Sequence, residues 1–474
     1  MSPPGRPKGE FRSAQHEGTT VNHELRRMAA IAAVSLAGLC TAVSAQAQTG
    51  GSGGTAGANS SGPYPPYVGD LPQDPGDIDL DLNTPVWLPG AVFPDAGLPG
   101  RAAYEDFQAE LYRKYGIRFS AFYAQLYQHA SDTLPNAPFD SANGGWGALQ
   151  FSWTALNRGT DREGRLVMNL GWRNSIGRNA VPAAFGVPMV GAAWSNYEFT
   201  SWGNSPKIED LFWEQSLGQD LSFRVGNQIA TAVMNFSRFK DARVSFTASP
   251  FAFHEIIPYP TFGLGASFRW NPIADSPFYV VGTLNDMNGD PAANGLDWST
   301  FFDEHQFFYG TEFGYRWRRP SGEFDHLHLN LFWADDRSTR NPTTSPNKAG
   351  GGFRVYGEKQ MGPYVAFGGY TFNTAEGGGI SATVTRQLVT AGLAYLNPLN
   401  ITGELSLGLM WTQPIQDIFP GSGQRNQSGI DLYWRMLITP NLWITPGVQV
   451  IFNPSFNPGV DTVYIPDIKF RLSF

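Results

Sequence analysis

The last eight residues, "DIKFRLSF" at 467–474, decide how the chain is read. They alternate. Ile468, Phe470, Leu472 and Phe474 fall on one side of an extended segment, and Asp467, Lys469, Arg471 and Ser473 fall on the other. A period of two with one apolar side is the mark of a strand. A chain end in water usually frays into polar residues. Here the final carboxylate sits directly on a phenylalanine. A strand that stops this way must be tied down by a neighbour.

The same period runs back through the chain. "LQFSWTAL" sets Leu149, Phe151 and Trp153 against Gln150, Ser152 and Thr154. "RLVMNLGWRN" sets Leu166, Met168, Leu170 and Trp172 against Val167, Asn169, Gly171 and Arg173. "DLSFRVGN" sets Leu221, Phe223 and Val225 against Ser222, Arg224 and Gly226. "TFGLGASFRW" sets Phe262, Leu264, Ala266, Phe268 and Trp270 against Gly263, Gly265, Ser267 and Arg269. Further on, Tyr309, Phe313, Tyr315 and Trp317 oppose Glu312 and Arg316. Leu327, Leu329, Leu331 and Trp333 oppose His326, His328 and Asn330. Leu405, Leu407, Leu409 and Trp411 oppose Thr402, Glu404 and Ser406, and Leu432, Trp434 and Met436 oppose Asp431, Tyr433 and Arg435.

Several apolar faces end in tryptophan, as expected of aromatic girdles where a barrel meets the membrane–water boundary. The opposite faces are small or charged, so they are expected to line water. Charged residues are 16 % and aromatics 14 % of the chain. After residue 45 no apolar run has the roughly eighteen residues of a membrane helix. Together these features predict an all-β fold: a transmembrane antiparallel β-barrel, with a soluble sandwich or solenoid as the alternative. Residues 117–474 number 358. At roughly 20–25 residues per strand and loop, that allows about sixteen strands, the size that leaves an aqueous channel. The last strand then has no polar tail because it closes the barrel against the first.

Residues 1–45 read as an N-terminal extension and a cleaved export signal: Arg26 and Arg27, an apolar run from Met28 to Ala42, then a small-residue site. The stretch before Met28 is long for a basic region, and Val21 is an alternative start. The single cysteine, Cys40, lies inside this signal, so the mature chain has no disulfide or thiolate ligand. Without these residues 28 Lys/Arg stand against 38 Asp/Glu, a balance that argues against nucleic acid. Residues 46–100, rich in Gly, Pro and Asp, are expected to be mostly disordered. Within them "DIDLDLN" begins like a calcium loop, but Leu82 and Leu88 stand where the turn glycine and bidentate glutamate belong. In "RAAYEDFQAELYRKYG" Ala103, Phe107, Leu111 and Tyr115 recur at helical spacing, predicting a short amphipathic helix over about 101–115 at the periplasmic end, ended by Gly116.

Three further stretches carry a family likeness: "YGIRFSAFYAQLYQ" after the helix, "LFWEQSLGQDLSFRVGNQ", and "PYPTFGLGASFRWNP". The end adds most: "GIDLYWRMLITPNLWITPGVQVIFNPSFNP…IKFRLSF". In these the chain, over about 101–474, resembles the carbohydrate-selective porins, the OprB family. The resemblance implies a sixteen-stranded outer-membrane barrel that passes sugars passively, narrowed by inward loops. It implies monosaccharides or small oligosaccharides, outer-membrane lipids and the outer-membrane assembly machinery as partners, with Phe474 as the assembly signal. The chain departs from the family at "HASDTLPNAP", at residues 175–208, and at Asn227, where a lysine is expected.

Pore selectivity comes from diameter, hydrogen-bonding groups and field. The inward candidates are Arg173, Arg224, Arg269, Glu312, Arg316, Glu404, Asp431 and Arg435, with Arg224 favoured by its place in the Arg-Val-Gly stretch. For each, the favoured reading is an ordinary solvated wall residue or half of an ion pair that stiffens the barrel, with sugar contact the sharper one. A general or ion-selective porin is the competing reading, and residues 46–100 acting as a plug is another. Oligomeric state stays open. No enzyme, cofactor or metal is expected. "HEIIP" at His254 has Pro258 where a zinc protease needs its second histidine, and no G-x-S-x-G elbow occurs. His326 and His328 share a strand face but have no third ligand in the sequence pattern.

Overall fold

The computed structural model describes residues 81–82, 84–201, 203, 205–252, 256–260, 262–273, 277–289, 296, 298–318, 324–338, 347–377 and 384–474. A helix, α1 (Arg101–Tyr115), leads into the first strand. The strands are β1 (Ile117–His129), β2 (Ser141–Leu156), β3 (Gly164–Ser175), β4 (Lys207–Ser216), β5 (Leu221–Gln228), β6 (Gly263–Trp270), β7 (Phe278–Asp286) and β8 (Phe307–Arg318). They continue as β9 (Phe324–Ala334), β10 (Gly350–Met361), β11 (Tyr364–Asn373), β12 (Thr385–Leu396), β13 (Gly403–Pro414), β14 (Gln427–Thr439), β15 (Leu442–Phe452) and β16 (Thr462–Ser473). Among the described residues these sixteen strands form one closed antiparallel barrel, each paired with its sequence neighbours. Closure is by β1 and β16, with Tyr123 opposite Leu472 and Gln125 opposite Phe470. The terminal alternation therefore has its neighbour, and no sheet edge is left unpaired.

The alternation sorts as read. Leu149, Trp153, Leu331, Trp333, Leu407 and Leu409 lie exposed on the outside, while Gln150, Ser152, Asn330 and Ser406 are buried within. Exposed leucines in continuous rows suit hydrocarbon and not water. The short connections, such as 217–220, 362–363 and 440–441, lie at one end, and the longer ones, such as 176–206 and 229–262, at the other. α1 and the C-terminus share the short-turn end: Thr154 N–H donates to Gly116 O (2.8 Å) and Tyr104 Oη to Phe474 O (3.2 Å). In membrane barrels that end is periplasmic. Strand direction then places Trp153, Trp270 and Trp317 near the periplasmic rim and Trp172, Trp333 and Trp411 near the outer rim.

Gly116 ends α1 with φ 77°, its N–H donating to Tyr112 O at 2.8 Å. A side chain there would meet Thr154 O at 2.5 Å, so glycine is required by both dihedral and contact. The face of α1 differs from expectation. Gln108 and Tyr112 are buried, whereas Phe107 and Tyr115 are exposed. The helix docks by hydrogen bonds, Gln108 Nε2 to Phe119 O at 2.8 Å among them, and not by burying its aromatic stripe.

Residues 84–100, expected to be disordered, dock on the periplasmic rim. Leu88 N–H donates to Pro440 O (2.7 Å), Val92 N–H to Leu437 O (3.0 Å) and Phe93 N–H to Ile438 O (2.9 Å). Trp87 packs edge-on against Tyr104, with ring centres 5.4 Å apart. A composition without period hides this docking, because the contacts are made to strand ends and not within the segment. Phe262 is a second difference. It precedes β6, is buried, and lies 6.0 Å from the Arg173 guanidinium, so it faces the lumen and not lipid.

Candidate functional site in the barrel lumen

The interior is not simply water-lined. Residues 190–196 of loop 176–206, and nearly all described residues of loop 229–262, are buried within the barrel. Phe239, Phe246 and Phe251 of the second loop pack on the wall residues Phe367 and Tyr433, with ring centres 4.4 Å apart for Phe239–Phe367 and 4.7 Å for Phe246–Tyr433. The wall makes room with glycine. A Cβ at Gly408 would meet Phe251 at 2.5 Å, and one at Gly429 would meet Trp194 at 2.7 Å. The narrowing is thus a second apolar core inside a polar tube.

The wall from β3 to β5 carries a row of paired charges. Arg165, Glu214 and Arg224 are opposite one another in register. Glu214 accepts from Arg224 Nε at 2.7 Å and from Arg165 Nη2 at 3.2 Å. Arg173 donates to Glu209 at 2.9 Å and to Glu198 of the first inward loop. Its guanidinium lies 4.3 Å over Trp146, and that of Arg224 lies 4.8 Å over Phe212. Stacking uses the face of the guanidinium and leaves its in-plane N–H groups for partners. Asn227, where lysine is expected, is buried and donates to Glu209 O at 2.8 Å.

The other candidates hold the second loop or brace the wall. Glu312 accepts from Tyr279 Oη (2.6 Å), Asn330 Nδ2 (2.7 Å) and the Asn235 N–H (2.5 Å). Asp431 accepts the N–H groups of Thr247 (2.9 Å) and Ala248 (2.7 Å). Arg269 donates to Ala232 O at 3.3 Å. Glu404 accepts from Tyr433 Oη (2.5 Å) and Arg435 (2.8 Å), and Arg435 lies 5.0 Å over Trp443. Arg316 is buried and inward, opposite His326 in register. Thus all eight candidates face the lumen, but they do not converge on one point. Arg173 and Arg224 share one stretch of wall, Arg269, Glu312 and Arg316 a second, and Glu404, Asp431 and Arg435 a third.

Sequence reasoning missed the residues that fasten the loop. Arg238 donates to Glu358 at 2.8 Å, Ser237 Oγ lies 3.1 Å from Tyr356 Oη, and Lys469 donates to Ser245 O. At the periplasmic side Arg243 binds both Asp241 (2.7 Å) and Asp81, and Arg471 binds Asp81 at 2.5 Å. Burial pushes the Asp241 carboxyl up, but Arg243 and Arg471 outweigh it and hold it below the usual carboxylate range. Burial raises the Glu198 carboxyl, and with Glu209 nearby it stays raised despite Arg173. The one signal available was "SRFKDARVSF" at 237–246, a charged and aromatic run without a period, and such a run does not reveal its partners.

The His326 and His328 rings stack 5.3 Å apart, and His326 Nε2 lies 3.1 Å from Phe236 O. Among the described residues no group of three or more His, Cys, Asp or Glu is placed to hold a metal ion. His254 lies outside the described residues, as do residues 1–80 with the export signal.

No known family profile matches the chain. It is 25 % identical over 314 residues to the uncharacterised protein sll0772 of Synechocystis, a match covering 59 % of this chain and 56 % of that relative's length. Among solved structures it is similar to the high-pH structure of Pseudomonas putida OprB, with TM-score 0.58, 13 % identity, and 78 % of this chain and 97 % of that one covered. A mutant of the Rh. blastica porin aligns with TM-score 0.40 at 12 % identity, covering 76 % of this chain and 100 % of that one. The closed antiparallel topology, the lipid-suited exterior and the agreement with the first of these solved barrels lead to one conclusion: this chain has the sixteen-stranded fold of a porin.

Proposed function

We propose that the chain is an outer-membrane porin for passive, carbohydrate-selective diffusion of sugars into the periplasm. The observation that carries this reading is the β3–β5 wall. There Arg173 and Arg224 are each neutralised by a carboxylate and each laid over an aromatic ring. Such a wall sets donors and acceptors side by side along the lumen with their charges largely cancelled. Neutral polyhydroxylated molecules exchange hydrogen bonds with it one at a time, while free ions gain little. The inward loops supply the narrowing that makes wall contacts matter. Export through the signal at 1–45, and Phe474 read by the assembly machinery, belong to the same proposal.

Liposome swelling with refolded protein tests it. Glucose entering faster than a size-matched neutral amino acid is the expected result. Equal rates would make the protein a general diffusion porin and remove the sugar preference while leaving the barrel.

A further inference from the structure

The aromatic stripe of α1 is left largely uncovered. Phe107 is 54 % and Tyr115 52 % exposed, and Leu111 between them is half-buried. Large apolar side chains gathered on one face mark a contact surface. The helix has two other sides, and both are occupied. Gln108 and Tyr112 face the barrel rim: Gln108 Nε2 donates to Phe119 O at 2.8 Å, and the Arg118 guanidinium lies 4.2 Å over the Tyr112 ring. Asp106, Glu110 and Arg113 form an exposed charged side, with Arg113 paired to Glu110 at 2.7 Å.

What the stripe meets follows from β1. The ring centres of Phe107 and Tyr104 lie 6.1 Å and 6.0 Å from that of Phe119, both edge-on. Phe119 alternates with Arg118 and Ser120, which are buried within the barrel, so it belongs to the outer face. In register it is opposite Phe151, and its outer-face neighbour Ile117 is opposite the exposed Trp153. The stripe of α1 is therefore continuous with the lipid-suited exterior at the periplasmic rim. Lys114 stands beside it, its ammonium 5.1 Å over the Tyr115 ring. A lysine so placed lays its stem on apolar surface and keeps its charge at headgroup level.

We propose that α1 is an interfacial helix seated in the periplasmic leaflet, with Phe107, Leu111 and Tyr115 at the boundary of the acyl chains and Lys114 toward lipid phosphate. An apolar side toward lipid and a charged side toward water is the pattern of a helix lying in the interface plane. Continuity with the outer face of β1 and β2 favours lipid over a soluble partner, which would have to enter the bilayer edge to cover Phe107 where it meets Phe119. The carboxylates of Asp106 and Glu110 are kept on the water side, away from anionic headgroups. The proposal rests on the barrel spanning the membrane.

Site-directed labelling tests it. The full chain with Cys40→Ser carries one new cysteine at a time: Phe107→Cys, Tyr115→Cys, Glu110→Cys or Leu407→Cys. Each bears an environment-sensitive nitrobenzoxadiazole dye and is refolded into vesicles of phosphatidylethanolamine and phosphatidylglycerol. At 107 and 115 emission should be blue-shifted, quenched by a lipid spin-labelled near its headgroup, and shielded from aqueous iodide. At 110 iodide should quench and the lipid label should not. Orientation in the vesicle affects the three helix sites alike. Leu407, exposed on the outer face of β13, is the lipid-facing control. Lipid quenching at 407 with iodide-open dyes at 107 and 115 would overturn the helix placement and leave the barrel. Shielding from iodide without lipid quenching would overturn it in favour of a protein cover. Absence of lipid quenching at 407 would remove the membrane reading and the proposal with it.

Discussion

The carboxylate of Asp81 is gripped by Arg243 of the inward loop, 162 residues on, and by Arg471 of the closing strand at 2.5 Å. One acidic side chain thereby joins three parts of the molecule: the segment before α1, the loop that narrows the lumen, and the strand that shuts the barrel. Asp81→Asn keeps the shape and withdraws the charge. Asp241 still pairs with both Arg243 and Arg471. Removing one member of a buried ionic network costs about 3–5 kcal/mol. A lowered unfolding midpoint and noisier single-channel currents are the expected outcome, read by denaturation and planar-bilayer recording.

Gly408 tests the inner core. A valine there would collide with Phe251 and Phe246. Overpacking of this kind costs about 1–3 kcal/mol. Because the wall is held by strand pairing and the loop is not, the loop should give way. Gly408→Val is expected to raise conductance while the barrel's β-sheet circular dichroism stays unchanged.

Glu214 has two arginine partners, and this sets an order of effects. Arg224→Met leaves Arg165 in place, so its loss should be near the ~1.5–3 kcal/mol of one charged hydrogen bond. The double variant with Arg165→Met takes both arginines from a buried carboxylate, and the combined loss should exceed the sum of the single losses. Denaturant unfolding of the four-member cycle measures this. In swelling assays R224M should slow sugar entry more than amino-acid entry if this wall contacts sugar.

Two loop carboxyls should give opposite pH responses. Asp241 is held below its ordinary value by Arg243 and Arg471, against the effect of burial. Its stabilising contribution is present above the unfolded value of about 3.9 and is lost as pH falls through the lower folded value. Glu198 is raised by burial, with Arg173 opposing and Glu209 adding. Its folded form is favoured most at low pH, and stability declines as pH rises from about 4.3 through the raised folded value. Unfolding midpoints across the acid-to-neutral range should show E198Q removing the decline and D241N removing the acid loss.

Phe474 separates folding from delivery. Its N–H donates to Ala121 O at 2.8 Å and its carbonyl accepts from Tyr104, both backbone contacts that alanine would keep. Phe474→Ala should therefore refold normally in detergent yet reach the outer membrane in lower yield. Normal delivery would show that the side chain carries no assembly signal.

The period of two determined the strands and which face of each is apolar. Each strand buries one face and exposes the other, and a one-residue slip would exchange them, so outward Leu407 and inward Ser406 are legible from spacing alone. The tryptophan ends and the small or charged opposite faces add the reading of a membrane barrel, and the closure of β16 on β1 is seen in their pairing. The inward orientation of all eight candidate residues followed from the same rule. What each of them touches did not. Pairing across strands depends on register, which makes Arg224 a partner of Glu214. Loops 176–206 and 229–262 have no period, and their aromatics read equally well as exposed loop or as core. Only the tertiary structure decided that these loops fold inward, that Asp81 reaches across to Arg243, and that the lumen is narrowed by an apolar core. Those contacts join residues far apart in the chain, and their energy comes from burial and charge pairing that exist only once the barrel has closed around them.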